Sequence, residues 1–315
     1  MSELSRTRRW RLERPLSVVD TLRPLQRSSA DPTMRFVAGA CWRASRTPDG
    51  PATVSVQLLG DEVTITGWGP GADWMLHTAP DLLGENDDWS TLDMTAHPII
   101  NEVRRRRPGA RLCRTNLVME ALVPACLEQR VTGTEAWRAW RKLIRRYSEP
   151  APGPTEVGLW LPPTPDGLRA VTSWDWHLFG VDPGRARTIR AAATVAGRLE
   201  QCATQAVRND AGPSDDFAAA ARRLRLVPGV GEWTAAEVTL RALGDPDAVS
   251  VGDFHLKNLV GFALAGHSRS DDDVMLQLLE PWRGQRARVI RLIELSGATP
   301  PKFGPRFSPN DISRI

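Results

Sequence analysis

The stretch Leu224-Arg-Leu-Val-Pro-Gly-Val-Gly-Glu-Trp-Thr-Ala-Ala236 decides the fold of this chain. It places a short glycine turn between two segments whose apolar residues have helical spacing. Gly229 and Gly231 can adopt backbone conformations closed to other residues, and their missing side chains let another molecule approach the backbone. The turn opens a helix, whose free amide groups suit a phosphate. The alternative is a helix–helix turn in which the glycines serve packing alone.

Two further segments follow the glycine turn along the chain, each in front of a helical pattern. In Ser250-Val-Gly-Asp-Phe-His-Leu256, Asp253 lies twenty residues after Trp233 and immediately before the next helical pattern. Glu280-Pro-Trp-Arg-Gly-Gln-Arg-Ala287 then opens the last helical pattern of the chain. An aspartate in front of a helix is a preferred N-cap, which is the structural alternative to a chemical role for Asp253.

These three segments together resemble the helix-hairpin-helix superfamily of DNA base-excision glycosylases, and within it the 3-methyladenine DNA glycosylase II (AlkA-like) group. The resemblance covers residues 116–295. It implies duplex DNA containing damaged bases as the partner and Asp253 as the catalytic residue. The carboxylate would stabilise the positive charge of an oxocarbenium-like transition state while water attacks the sugar carbon. Capping and catalysis can coexist in one side chain.

The sequence predicts an α+β protein: an antiparallel β-sheet domain with short helices, followed by an all-helical helix-hairpin-helix domain. Residues 52–59 and 62–67 alternate in polarity around Gly60-Asp61, which is typical of a hairpin. Residues 21–25 and 35–44 are candidates for further strands. The predicted divisions are a flexible basic segment (1–19), the sheet domain (20–115), the helical domain (116–299) and a proline-rich tail (300–315).

The residue two positions after the final hairpin glycine implies the reaction type. By the resemblance, glycosylases that also cut the DNA strand carry a lysine there, whose amine attacks the sugar carbon, displaces the base and forms a Schiff base. Here the position is Trp233, as in the 3-methyladenine group, so hydrolysis without strand cleavage is expected. Lys257 lies one helical turn beyond Asp253, and a phosphate or surface role is the better interpretation for it.

The resemblance also implies a pocket for the flipped base. Alkylated purines carry positive charge, and an indole face attracts cations. The expected substrate-binding residues are Trp233, Trp282, Trp176, His177 and Glu237, with Trp174 beside them. Several of the twelve tryptophans must simply be core residues. At Glu237 the well-known bacterial enzymes have an aromatic residue; the carboxylate would favour cationic bases or face solvent.

DNA contacts are expected from the hairpin and from two other places. By the resemblance, the segment Leu127-Glu-Gln-Arg-Val-Thr132 supplies the residue that fills the gap left by the flipped base. An alignment puts Arg130 there, with Gln129 as the alternative. The predicted DNA-binding residues are Gly229, Val230, Gly231, Thr234, Gln129, Arg130, Arg283 and Arg286. The two arginines after Trp282 have a solvated surface role as the alternative.

Composition excludes several classes of protein. There is no apolar stretch long enough to cross a membrane, and the basic N-terminus lacks the apolar region of a secretory signal. The four cysteines lie far apart without a CxxC pair, so no cysteine-built zinc or iron–sulfur site is expected. We expect no metal or cofactor apart from a monovalent cation at the hairpin, as such hairpins use. A cytoplasmic monomer is expected.

The net charge of +4 is a weak signal. Of the 41 basic residues only Lys142, Lys257 and Lys302 are lysines, a bias that suits phosphate binding but also follows from a GC-rich genome. The sequence therefore predicts a monofunctional glycosylase for alkylated purines such as 3-methyladenine and 7-methylguanine. The alternatives are a non-catalytic DNA-binding or lesion-sensing protein and a glycosylase for a neutral base such as hypoxanthine or uracil.

Overall fold

A computed structural model describes residues 4–205 and 213–301. It has the predicted α+β class, with one antiparallel sheet near the N-terminus and helices through the rest of the chain. The proline-rich tail lies outside the described residues from residue 302 onward. In the part of the chain that the structure describes, no helix combines the length and apolar character needed to cross a bilayer.

The sheet has five strands in the spatial order β1-β5-β4-β3-β2, and every neighbouring pair is antiparallel. The predicted hairpin is confirmed as β4 and β5, joined at Gly60 with φ +62°. Residues 35–44 form a second hairpin rather than a single strand, because Ala38 and Gly39 both turn the chain with positive φ. The strands are β1 (Arg6–Arg11), β2 (Met34–Val37), β3 (Ala40–Thr47), β4 (Gly50–Leu59) and β5 (Glu62–Trp68).

Two predictions for the N-terminal part are wrong. Arg6–Arg11 forms β1 against β5 and is not a flexible segment. As an edge strand it exposes nearly every side chain, so its sequence carries no alternation of buried and exposed residues, and its arginines protect the edge from further pairing. Residues 21–25 are helical because Ser17 caps the first turn, its side chain accepting the amide of Asp20 at 3.2 Å.

Short helices flank the sheet and longer ones form the second half. Three 3₁₀ turns interrupt them, at Arg23–Leu25, Thr155–Val157 and Glu280–Trp282. The helices of the described chain are α1 (Val18–Leu22), α2 (Ala72–His77), α3 (Ala79–Leu82), α4 (Pro98–Arg106), α5 (Val118–Glu128), α6 (Gly133–Tyr147), α7 (Pro165–Ala170), α8 (Ser173–Phe179), α9 (Pro183–Thr194), α10 (Ala196–Gln205), α11 (Pro213–Leu224), α12 (Glu232–Val238), α13 (Leu256–Ala265), α14 (Asp272–Leu279) and α15 (Arg286–Leu295).

Three apolar clusters form most of the core. One lies under the sheet, a second joins α5 to α12, and a third surrounds α13 to α15. The third cluster also contains Trp89, Leu92, Ile100 and Val103, which precede the proposed boundary at residue 115. Residues 89–103 therefore pack with the last helices of the chain, and the proposed boundary does not divide two separate cores.

Buried ion pairs join the sheet to the helices. The carboxylate of Glu120 in α5 lies 2.7 Å from Nη2 of Arg43 in β3, and it accepts the backbone amide of Arg46 at 2.7 Å. Arg288 in α15 similarly lies 2.6 Å from Asp87. Both pairs are almost fully buried and hydrogen-bonded, which is the condition under which burial of charge is tolerated. The sheet is thereby held in a defined position against the helices.

Candidate active site

The glycine hairpin connects α11 to α12. Gly229 has φ +88°, and a Cβ atom there would lie 1.9 Å from Oγ1 of Thr188 in α9. This residue must therefore be glycine for both backbone conformation and space. Gly231 is different: its φ is −93°, and a Cβ atom would meet nothing within 4 Å. Gly231 therefore adopts a φ value that other residues also adopt, and the space beside its Cα, in front of α12, is open.

Gln129 braces this hairpin. Its Nε2 donates to the carbonyl oxygen of Gly229 at 3.0 Å and to Oγ1 of Thr234 at 2.8 Å. The half-buried Gln129 therefore supports the turn of the hairpin, and its role as the residue that fills the gap stays a prediction. The neighbouring Arg130 is exposed and has φ +55°, a conformation rare for arginine that directs the turn between α5 and α6.

Two predicted hairpin contacts have buried side chains. Val230 is 6% exposed and Thr234 is 2% exposed. Their side chains belong to the interior, so only their backbone groups remain available to a phosphate. The first amide groups of α12 have no acceptor within the helix, as at any helix start. The hairpin therefore offers backbone donors rather than side chains.

Asp253 receives hydrogen bonds on both carboxylate oxygens. Oδ1 accepts the backbone amides of His255 at 2.8 Å and Leu256 at 2.9 Å, which caps the start of α13. Oδ2 accepts Nε1–H of Trp233 at 3.1 Å. The capping role is thus observed, and it leaves the second oxygen oriented by an indole from the glycine hairpin. The hydrogen bond between Trp233 and Asp253 links the glycine hairpin directly to the start of α13.

Asp253 also lines a cavity of about 260 Å³ between the sheet domain and the helices. Ligand pockets for drug-sized molecules are typically about 300–1,000 Å³, so this space is suited to a smaller group such as one base. Its walls come from four regions of the chain: Thr21 and Pro24; Arg111, Leu112 and Cys113; Glu237, Leu240, Arg241, Ala248, Ser250, Asp253, His255, Leu256 and Leu259; and Ala287, Ile290, Arg291 and Glu294.

Glu237 lies inside this cavity rather than in solvent. Its Oε2 is 2.6 Å from Nη1 of Arg241, and Oγ of Ser250 donates to Oε1 at 2.5 Å. The side chains of Glu237 and Arg241 are only 13% and 15% exposed. Burial alone would lower the pKa of Arg241, but the Glu237 carboxylate and other nearby acids leave that pKa raised above its usual value.

Burial shifts two further groups of the cavity wall. It is the main cause that lowers the pKa of Arg111, whose guanidinium donates to the carbonyl oxygens of Arg14 and Pro15 at 2.5 and 2.9 Å. It raises the pKa of the Cys113 thiol, which therefore stays protonated. The polar groups that the wall presents are thus fixed by internal partners and not by solvent.

The other predicted pocket residues lie elsewhere. Trp282 is 5% exposed in the third core cluster, with its Nε1 donating to the carbonyl oxygen of Asp93 at 2.6 Å. Trp176 is 2% exposed and packs edge-on against Phe179. His177 lies beside the exposed Trp174, with ring centroids 6.0 Å apart, and does not line the cavity. None of these three side chains lines the cavity, and Trp176 and Trp282 pack in the core.

Arg283 and Arg286 already have carboxylate partners. Arg283 is exposed and bonded to Glu280, with two distances of 2.8 Å. Arg286 makes a forked pair with Asp247, at 2.8 and 2.5 Å. Asp247 also accepts the amide of Gly284 at 2.8 Å, which stabilises the start of α15. Arg286 thus has a structural role, and Arg283 is the one of the two that projects into solvent.

Several cavity residues were missed from the sequence. Thr21, Pro24 and Arg111 come from the sheet domain, and no local motif marks them. Arg241 had a signal, because it follows Glu237 by four residues, the spacing of an ion pair on a helix. In addition, a π-helical turn at Thr239–Leu243 continues α12, and such turns are frequent at functional sites.

No metal-binding cluster of three histidine, cysteine or acidic side chains occurs in the described ranges 4–205 and 213–301. All four cysteines are buried and unpaired. The monovalent cation at the hairpin stays a prediction. The chemistry that the residues offer is an oriented carboxylate beside a small, mostly apolar cavity.

Comparison with known proteins identifies relatives for both sequence and fold. The chain is 31% identical over 162 residues to a probable bifunctional transcriptional activator/DNA repair enzyme AlkA of Mycobacterium tuberculosis. That match covers 51% of this chain and 30% of the relative, so the chain spans less than a third of the curated protein. No family model matches the sequence.

Solved structures resemble the chain over almost its whole length. The 3-methyladenine DNA glycosylase from Archaeoglobus fulgidus has a TM-score of 0.74 at 16% identity, covering 92% of this chain and 98% of its own. The 8-oxoguanine glycosylase/lyase of Clostridium acetobutylicum has a TM-score of 0.70 at 13% identity, covering 94% and 99%. In sequence the chain is thus similar to a DNA repair enzyme AlkA over about half of its length, and its fold is that of these DNA glycosylase structures.

Proposed function

We propose that this protein is a monofunctional DNA glycosylase that flips alkylated purines, such as 3-methyladenine and 7-methylguanine, out of duplex DNA and excises them by hydrolysis. The observation that carries the proposal is the Asp253 carboxylate, which lines a base-sized cavity and is oriented by Trp233 and by the start of α13. The names of its relatives, a DNA repair enzyme and a 3-methyladenine glycosylase, support the same activity.

The reaction breaks the bond between base and deoxyribose and leaves positive charge on the sugar. An anion stabilises that charge best when the anion is already oriented toward it and does not have to turn. Both oxygens of Asp253 are fixed by hydrogen bonds, one from Trp233 and the other from the start of α13. Asp253 is only partly buried, and its Oδ2 accepts a single hydrogen bond, so this oxygen would accept a proton from the attacking water. The hairpin amides would hold the phosphate backbone while the base occupies the cavity.

The positions of the lysines support hydrolysis without strand cleavage. Lys257 is paired with Asp272, its Nζ lying 3.3 Å from Oδ2, and does not line the cavity. Lys142 donates to the carbonyl oxygen of Leu178 at 2.6 Å. Lys302 is outside the described residues. A Schiff base needs a free amine at the sugar, and Trp233 occupies the hairpin position from which one would act.

The test is release of bases from methylated duplex DNA by the purified protein. Chromatography identifies each released base, and a gel run before and after alkali detects strand breaks. We expect release of alkylated purines with breaks only after alkali, and no trapping of a covalent complex by borohydride. Breaks without alkali together with borohydride trapping would contradict the monofunctional mechanism.

Asp253→Asn is the decisive variant. Asparagine keeps an oxygen that accepts the amides of His255 and Leu256, so the cap survives while the negative charge is lost. We expect excision to fall at least about a hundredfold with DNA binding retained. Asp271→Asn is the matched control, because Asp271 also caps a helix, accepting the amide of Val274 at 2.9 Å, but does not line the cavity. Equal losses in both variants would remove Asp253 from the mechanism.

One observation favours a second candidate, a glycosylase for a neutral base such as hypoxanthine or uracil. Among the described residues, no tryptophan lines the cavity, so the cation-attracting wall expected for charged bases is missing there. Duplexes containing deoxyinosine or deoxyuridine in the same assay distinguish the two. Tight DNA binding without release from any substrate would favour a non-catalytic lesion sensor.

A further inference from the structure

Glu237 is the feature of the cavity that the proposed chemistry does not use. It lies one helical turn after Trp233 and lines the cavity, as do Arg241 and Ser250, the two partners of its carboxylate. At 13% exposure the side chain is well removed from water, where an acid needs strong partners. The ion pair with Arg241 and the hydrogen bond from Ser250 supply them.

These partners fix the orientation of the carboxylate. Arg241 is itself immobilised, since its Nε donates to the carbonyl oxygen of Pro24 at 3.2 Å and its Nη1 to that of Glu237 at 3.2 Å. Arg241 contacts one oxygen of the Glu237 carboxylate and Ser250 contacts the other. A carboxylate offers about four lone-pair sites, so each oxygen can still accept one hydrogen bond from a ligand.

The other walls of the cavity are largely apolar and offer a base few hydrogen-bonding groups. The apolar side chains among them are Leu240, Leu256, Leu259 and Ile290. Glu294 lies on the same wall but is satisfied by Arg291 at 2.8 Å and is 44% exposed. Apolar contacts discriminate poorly between rings of one size, whereas a buried acceptor left unpaired by the wrong ligand discriminates strongly.

We propose that Glu237 determines specificity for the base, and that the preferred substrate is a guanine-type purine such as 7-methylguanine. Two adjacent carboxylate oxygens match a pair of neighbouring N–H donors, the geometry that also recognises guanidinium groups. The Watson–Crick edge of a guanine-type base carries such a pair, N1–H and the N2 amino group. An adenine-type base has one amino group beside a ring nitrogen that, when unprotonated, can only accept. The proposal rests on the proposed glycosylase function.

The test compares the two classes of base on one DNA. Duplex DNA treated with a methylating agent contains 7-methylguanine and 3-methyladenine, and single-turnover release of both is measured by chromatography. In Glu237→Gln, one carboxylate oxygen is replaced by an NH2 group, which would face an N–H donor of the guanine-type base and could not accept its hydrogen bond. We expect the ratio of release rates, 7-methylguanine over 3-methyladenine, to fall about tenfold or more. Glu102→Gln, which removes a carboxylate that pairs with the arginine four residues later but does not line the cavity, should leave the ratio unchanged.

The outcomes separate the two proposals. If the wild-type protein releases neither base, the proposed function fails. If it releases both and Glu237→Gln lowers both rates equally, only the role of Glu237 fails. Glu237→Gln leaves the buried guanidinium of Arg241 without its carboxylate partner, which can destabilise the protein. Melting temperatures of the variants show whether they remain folded.

A measurement on the unmodified protein keeps the inference testable even if that variant is unstable. The free bases 7-methylguanine and 3-methyladenine are added as inhibitors of wild-type excision. We expect at least about fivefold stronger inhibition by the guanine-type base, corresponding to one retained hydrogen bond. Equal inhibition, or stronger inhibition by the adenine-type base, would overturn the assignment.

Discussion

The glycine hairpin and the cavity wall are neighbouring regions with opposite origins. The hairpin and Asp253 come from about thirty consecutive residues, and local rules determine their geometry: a left-handed glycine, a helix start and an aspartate cap. The wall collects residues from Thr21 to Glu294, which only the packing of sheet against helices brings together. Short-range geometry thus gives the hairpin and the oriented carboxylate, and long-range packing gives the shape of the cavity.

Among the variants that test this contrast, we expect the largest loss of stability and of DNA binding from a substitution of Gly229, the first glycine of the hairpin. Gly229→Ala places a methyl group against Thr188 and forces alanine to φ +88°. We expect the free energy of unfolding to fall by at least about 2 kcal/mol, with loss of DNA binding. Gly231→Ala is the control, because its added methyl group meets no other atom of the protein within 4 Å. We expect its stability to change little, and its affinity for DNA to fall because the methyl group lies where the phosphate would approach. Equal destabilisation in chemical denaturation would show that both glycines serve packing.

Two tryptophans give the next contrast. Trp282→Phe removes a core indole and its hydrogen bond to Asp93, so we expect about 1–3 kcal/mol of destabilisation and unchanged excision by the folded fraction. Trp233→Phe keeps a ring but removes the N–H that holds Asp253, so excision should slow about tenfold with little loss of stability. Thermal unfolding and single-turnover rates measure both. A rate defect in Trp282→Phe beyond its unfolded fraction would return that residue to the site.

The smallest effect is expected at the brace of the hairpin. Gln129→Ala removes both hydrogen bonds from its amide, and we expect about 1 kcal/mol of destabilisation together with weaker DNA binding. Arg130→Ala, which removes an exposed side chain, should leave stability unchanged. If Gln129→Ala abolishes base flipping while binding and stability persist, Gln129 acts in DNA after all and the brace interpretation is wrong.

The same contrast explains what the sequence could predict. The hairpin, the spacing to Asp253 and the β4–β5 hairpin are encoded over short distances, where backbone preference and periodicity are decisive. Whether Trp176 and Trp282 face a pocket or the core depends on residues far away in the sequence. The sequence therefore predicted that they line the base pocket, whereas in the structure both pack in the core. The N-terminal strand was missed because an edge strand lacks a buried face.

Glu237 illustrates the intermediate case. Its helix and its spacing to Arg241 are local, so the ion pair could be anticipated. Its direction into the cavity, and the contact with Ser250, depend on how the loop after α12 returns over the helix. Sequence alone therefore left two alternatives for this residue, pocket or solvent, and the fold decides for the pocket.

The contribution of the sheet domain to the cavity has an evolutionary consequence. Thr21, Pro24 and Cys113 shape the wall but belong neither to the glycine hairpin nor to the loop that carries Asp253. On the proposed function, substitutions at these positions change which base fits while attachment to DNA and the bond-breaking step stay as they are. The range of lesions of the proposed glycosylase would thus drift independently of its ability to find and open DNA.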